Sequence, residues 1–314
     1  MTRVPVVALG GGHGLAATLS ALRLLETRIT GIVTVADNGG SSGRLRDELG
    51  ILPPGDLRMA LAALCGDDEW GRRWADVLQH RFGGDGALHG HAVGNLLIAG
   101  IWEILGDHVD GLDLVGQLLG ARGRVLPMSA VPLDIEADVH LDASPERLTV
   151  VRGQAEVATV EGQVVSVRLD PQDPPACPQA VQAVQEADWV VVGPGSWFTS
   201  VMPTLLVPEL RRALVETSAR RLLVLNLQEQ VGETEGLSPA DHLEVLAAHA
   251  PELRLDAVLV DDSMMGDEQA LRSTAARFGA RLHTGPLARD EARDQHDPHR
   301  LATVFASVVG AGIE

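Results

Sequence analysis

The chain contains no lysine and no tyrosine, so every one of its 25 basic residues is arginine. Without lysine there is neither a Walker-type phosphate-binding side chain nor a Schiff base. Without tyrosine, the Tyr/Lys pair of short-chain dehydrogenases is impossible too. Cysteine is almost as scarce. Cys65 and Cys177 lie far apart and outside any C-x-x-C spacing, which argues against a disulfide framework or a zinc site and points to a reducing compartment. Positive charge is in short supply: 25 Arg stand against 43 Asp and Glu, for a formal net charge of -18. Nucleic acid and anionic membrane both demand basic surface, so neither is an expected partner. The acidity reads as a solvated exterior. Long apolar runs are missing as well. The first breaks at Gly10, too early for a signal peptide, and none spans a bilayer. A cytoplasmic protein without membrane insertion is expected.

What is present starts with core-forming capacity, since 45% of the 314 residues are hydrophobic, enough for one large α/β domain over residues 1–314. Residues 4–9 are a mostly β-branched run that ends at Gly10, Gly11, Gly12, His13 and Gly14. Leu15, Leu19, Leu22 and Leu25 follow at helical spacing, and residues 29–36 form a second apolar strand. That strand ends in Asp37, Asn38, Gly39, Gly40, Ser41 and Ser42, with Arg44 and Arg46 just beyond. The result is a βαβ unit with a glycine turn at each strand end. A strand that enters a helix through glycines leaves N–H groups free at the positive end of the helix dipole, where phosphate fits. The Ser41 and Ser42 hydroxyls and the guanidinium groups of Arg44 and Arg46 add donors suited to phosphate oxygens.

Further on, the Pro-Pro-Gly-Asp-Leu-Arg run at 53–58 enters a helix, with Asp56 placed as its N-cap and Arg58 in its first turn, facing an anion. The glycine-rich loop 82–91 holds His89 and His91, but no third ligand stands at a recognisable spacing, so no metal site is assigned. Asn95, near the start of an apolar helix, needs partners for a buried amide, either a loop carbonyl or a bound base. Residues 135–141, 147–152 and 164–169 read as short alternating strands with turns at Ser144, Pro145, Gly153 and Gly162. They form a β insertion over 135–169, a candidate surface for a homodimer. The buried-type strand 189–192 ends in Gly193, Pro194, Gly195, Ser196, Trp197 and Phe198, a third anion-type turn whose rings either pack or stack on a base. Ser238, Pro239 and Asp241 mark a helix start. Strands and helices alternate along most of the chain, which predicts a doubly wound, mostly parallel Rossmann-like sheet with ligand groups at the carboxyl ends of its strands.

The loops together resemble a known family. Gly-Gly-Gly-His-Gly-Leu at 10–15, Val-Ala-Asp-Asn-Gly-Gly-Ser-Ser-Gly-Arg-Leu-Arg at 35–46 and the run at 53–58 are similar to gluconeogenesis factors of the YvcK type. Gly-Asn-Leu-Leu at 94–97, Gly-Pro-Gly-Ser at 193–196 and Gly-Glu-Thr-Glu-Gly at 232–236 fit the same family, in order along nearly the whole chain. The resemblance implies the fold of 2-phospho-L-lactate transferase (CofD-like), binding of a UDP-sugar such as UDP-N-acetylglucosamine, and support of gluconeogenic growth, cell shape and cell-wall precursor supply in bacteria. It implies a regulator with a protein partner in precursor metabolism more than an enzyme, and no catalytic residue is assigned. No cofactor is required by that reading. Asn38 stands where many relatives are expected to carry a second Asp, and Met59 and Ala60 replace a more polar pair, which weakens the case for a divalent ion.

On this reading the pyrophosphate sits over Gly11, Gly12, His13 and Gly14, with Gly40, Ser41, Ser42 and Arg44 adjacent. Asp37 meets ribose hydroxyls, while Asn95 with Ser196 fixes base or sugar. Asn38, Asp56, Arg58, Gly193 and Gly195 complete the expected site. An alternative is a magnesium-dependent transferase acting on a nucleotide-activated phospho-acid, with Asp37, Asp56 and the His13 turn at work. A nicotinamide-dependent oxidoreductase fits less well, because Leu15 stands where the third glycine of G-x-G-x-x-G belongs.

Overall fold

A computed structural model describes residues 3–144, 146–230 and 232–310, so Pro145, expected as a turn residue, lies outside the described residues. The chain opens with β1 (Val4–Gly10), α1 (Gly12–Leu22), β2 (Thr27–Val33), α2 (Gly40–Leu49), α3 (Gly55–Leu64) and α4 (Glu69–Gln79). Next come α5 (Val93–Leu105), α6 (His108–Leu119) and β3 (Gly123–Pro127), then β4 (Asp134–Leu141), β5 (Leu148–Arg152), α7 (Gln154–Val157) and β6 (Gly162–Asp170). The second half runs through α8 (Pro178–Gln185), β7 (Trp189–Val192), a π-helical turn (Trp197–Val201), α9 (Met202–Leu206), α10 (Pro208–Glu216) and β8 (Arg220–Val224). It ends with α11 (Pro239–His249), β9 (Ala257–Asp261), α12 (Glu268–Arg277), β10 (Arg281–Gly285) and α13 (Pro298–Val309).

Seven strands form a parallel sheet in the order β10-β9-β8-β7-β1-β2-β3. Its central strands are continuous apolar runs because both faces are covered: Ala8, Leu9, Val190, Val191, Leu222, Leu223, Val258 and Leu259 are fully buried. The chain builds outward from β1 in one direction through β2 and β3, then returns to place β7 on the other side of β1. The strand order therefore reverses between β1 and β7, and loops leaving these two strands diverge and open a crevice. Thr34–Ala36, expected as the end of the second strand, are buried yet lie past its ladder, because β1 stops at Gly10 and β3 at Pro127. α6 begins at His108 because the Asp107 carboxylate caps it, accepting from Val109 N–H at 2.8 Å and Asp110 N–H at 2.9 Å.

The insertion is a three-stranded antiparallel sheet, β5-β4-β6. Along β4, Ile135, Ala137 and Val139 point into the core, and the alternate positions carry charge. Arg168 bonds Glu136 at 2.8 Å and Asp138 at 2.9 Å across the ladder. Loops gather at the carboxyl edge of the large sheet, and the insertion meets them there, Gln154 Nε2 donating to Thr199 O at 3.1 Å.

Candidate functional site

The crevice at the strand-order reversal is a cavity of about 780 Å³. Gly11, Gly12, His13 and Gly14 after β1, Gly195 and Ser196 after β7, and Asn226 after β8 line it, so residues remote in sequence converge as the alternation predicts. Gly12 sits at φ +57° with open space where a side chain would project. Gly14 is under the opposite constraint: a Cβ there would lie 2.3 Å from the Pro194 carbonyl oxygen, so α1 approaches the third turn more closely than any other residue allows. Gly11, the residue before α1, has no side chain to cap the helix, and the first turn of α1 faces the cavity. Asn226 pins the far wall by accepting from Gly195 N–H at 3.0 Å and donating to Gly195 O at 2.8 Å. Gly193 lies behind this wall at φ +70°.

The other expected residues form a second group behind the cavity. Ser41 Oγ accepts from Asn95 Nδ2 at 3.0 Å and Ala92 N–H at 3.2 Å, which leaves its own proton for His91 Nδ1 at 3.1 Å. Burial lowers the pKa of His91, in keeping with a neutral, accepting imidazole. Ser42 Oγ accepts from Gly55 N–H at 2.9 Å. Both hydroxyls, expected to reach phosphate, are instead buried fasteners that join α2 to α3 and α5. Asn38 is likewise committed, donating to Glu156 at 2.7 Å and accepting from Ala155 N–H at 2.9 Å, so it holds α7 of the insertion. Arg46 leaves the phosphate set for Leu133 O and Asp134, and exposed Arg44 donates to His89 O at 2.8 Å. Gly40 opens α2 at φ +50°.

Asp56 is not an N-cap, because α3 begins at Gly55 and places Asp56 inside the first turn. Its carboxyl bonds Gly12 N–H, which links this second group to the floor of the cavity. Burial, with the Asp37 charge as the next cause, pushes Asp56 up to about 7. Asp37 itself accepts from Gly39 N–H at 2.8 Å. Arg58 is buried across Gly94 and bonded to Gln79; burial first and Arg81 second push it down to about 10. Arg58 Nε and Asn95 Oδ1 are buried with no partner.

The third turn holds an anion of the chain's own making. Glu233, 5% exposed, accepts from Phe198 N–H at 3.2 Å and Thr199 Oγ1 at 2.8 Å, and from Ser196 Oγ. The turn expected to receive a ligand's anion is occupied by a carboxyl group 37 residues away in sequence. Trp197 and Phe198 are fully buried and pack rather than offering a stacking face. Residues not singled out from the sequence also line the cavity, among them Gln79, Gln230, Arg289 and His296. Burial pushes His296 down to about 4, its ring bonds Leu225, and Nε2 is buried without a partner. The available signal was positional: the segment between β10 and α13 leaves a strand at its carboxyl end.

The family model described as 2-phospho-L-lactate transferase CofD matches residues 6–299. A candidate gluconeogenesis factor of Mycobacterium tuberculosis (strain H37Rv) is 55% identical over 307 residues, covering 96% of this chain and 90% of that protein. The gluconeogenesis factor of Halalkalibacterium halodurans is 39% identical over 291 residues, 93% of this chain and 86% of that protein. Among solved structures, a UPF0052 family protein from Bacillus halodurans superimposes with a TM-score of 0.84 at 32% identity, covering 97% of this chain and 99% of that one.

Proposed function

The chain belongs to the CofD family and, within it, to the gluconeogenesis factors, and from that premise we propose that it is a regulatory protein that binds a nucleotide sugar, of the UDP-N-acetylglucosamine class, in the crevice between β1 and β7. The observation that carries this reading is the first turn of α1, which meets the cavity through Gly12, His13 and Gly14 while Asp56 takes the Gly12 N–H from behind. Backbone N–H groups at the positive end of a helix suit a pyrophosphate. Arg289 can supply a counter-charge, and the amides of Gln228 and Gln230 can bond base or sugar hydroxyls. A volume of about 780 Å³ accommodates a ligand of that size. The regulator acts in the cytoplasm through a protein partner in cell-wall precursor metabolism, supporting gluconeogenic growth and cell shape.

Calorimetric titration with UDP-N-acetylglucosamine, UDP and ADP tests this reading, with the solution assayed for breakdown products. Tight binding of the UDP-sugar, weaker binding of ADP and no turnover are expected, and equal affinity for all three would remove its basis. Gly14→Ala should weaken binding at least tenfold by forcing α1 off the Pro194 carbonyl.

One observation favours the transferase alternative, namely Asp56 held near neutrality beneath Gly12 with Asp37 as its charged neighbour. Two repelling carboxylates fit a magnesium ion, which Asp37 and Asp56 would hold and which would neutralise phosphate charge. Magnesium-dependent turnover lost in Asp56→Ala would establish it.

A further inference from the structure

We propose that the opposite end of the large sheet carries a second anion site, for a small molecule bearing two or more phosphate or carboxylate groups. A cavity of about 580 Å³ lies beside the N-terminal halves of β1, β2 and β3, flanked by α8. Arg3, Arg28, Arg122 and Arg124 all line it, together with the amides of Gln179 and Gln182. The single carboxylate among the lining residues is Glu186.

The charge balance is what distinguishes this cavity. In a chain whose 43 acidic residues outnumber its 25 arginines, a concavity with four guanidinium groups and one carboxylate reverses the sign of its surroundings. Asp113 offsets one of these charges by pairing with Arg124, and a multivalent anion complements the excess of guanidinium over carboxylate along the lining. Asp113 accepts from Arg124 Nε at 2.9 Å and Nη2 at 2.6 Å, which fixes the guanidinium and leaves Nη1 for a ligand. Arg28 is exposed and makes no ion pair among the described residues. Planar guanidinium forks match phosphate and carboxylate oxygens, and the neighbouring amides can bond hydroxyls on the same ligand. Concave walls also focus the field. The volume suits a small molecule, and the acidic exterior around it disfavours nucleic acid. The site is separate from the crevice, because the two lie at opposite ends of β1, roughly 20 Å apart at ~3.3 Å per residue. It does not depend on what the crevice binds.

Inorganic pyrophosphate is the probe, titrated calorimetrically into the full chain as wild type, Arg28→Glu, Gly14→Ala and a control, Arg272→Glu, that makes the same charge change on exposed α12. One equivalent should persist in Gly14→Ala and in the control, and weaken about tenfold or more in Arg28→Glu. UDP-N-acetylglucosamine heats should be equal in wild type and Arg28→Glu. A pyrophosphate signal that vanishes in Gly14→Ala belongs to the crevice and overturns the proposal. Equal weakening in Arg28→Glu and Arg272→Glu reduces it to diffuse charge. Binding of a short poly-glutamate peptide with the same Arg28 dependence, in place of pyrophosphate, reassigns the surface to an acidic protein segment.

Discussion

Glu233 occupies, with its own carboxylate, a turn built from Ser196, Phe198 and Thr199, and so decides the shape of one wall of the crevice. Glu233→Ala strands two buried donors and the part-buried Ser196 hydroxyl, and should lower unfolding free energy by about 2–4 kcal/mol in urea titration, with Glu233→Gln intermediate. An unchanged midpoint would count against the role given to this carboxylate. Asp56 makes a prediction of opposite character. Its folded pKa of about 7 lies above an unfolded value of about 3.9. The stability it contributes is therefore fully present below about pH 4 and is lost as pH rises through about 7. Asp56→Asn cannot ionise, so its thermal midpoint relative to wild type should rise steadily from pH 5 to pH 8. A difference that stays flat across that range would show that Asp56 titrates normally.

At the scale of elements, α2 is the fastener of the second turn. Ser41 and Ser42 emerge in its first turn facing inward, and their hydroxyls tie it to the His91 loop, α5 and α3. Ser41→Ala leaves the Asn95 amide and Ala92 N–H without their acceptor, and should destabilise the chain by about 2–3 kcal/mol. The same substitution should alter nucleotide-sugar affinity little, because Ser41 does not line the crevice. A large affinity loss at unchanged stability would restore Ser41 to the binding site. Local pattern cannot choose between these roles, since a Gly-Gly-Ser-Ser turn reads identically whether its hydroxyls face a ligand or the core.

At the scale of the molecule, the insertion turns Leu148, Val150 and Val165 outward, each about half exposed. Together with the stretch 135–169 read from the sequence, this face is our proposed contact for a homodimer. Val150→Glu should shift the sedimentation of a dimer to that of a monomer without loss of folded signal; an unchanged coefficient would place any contact elsewhere.

Local pattern alone determined a good deal. Runs such as Trp189–Val192, the Ser238, Pro239 and Asp241 capping box, and the alternation of β4 are set by neighbours in the chain, and they stand in the structure as read. The sequence also puts the first glycine turn at the carboxyl end of a strand, but that the strand order reverses at β1 and opens a ligand-sized space beside this turn belongs to the tertiary fold. Only the tertiary structure decided which polar side chains remain available there. Ser41, Ser42 and Asn38 found internal partners 13 to 118 residues away in sequence, while the end of α4 carries Gln79 to the crevice and the segment between β10 and α13 carries Arg289 and His296. A buried donor or acceptor must find a partner wherever the chain brings one within reach, and that pairing is fixed by packing rather than by spacing along the chain.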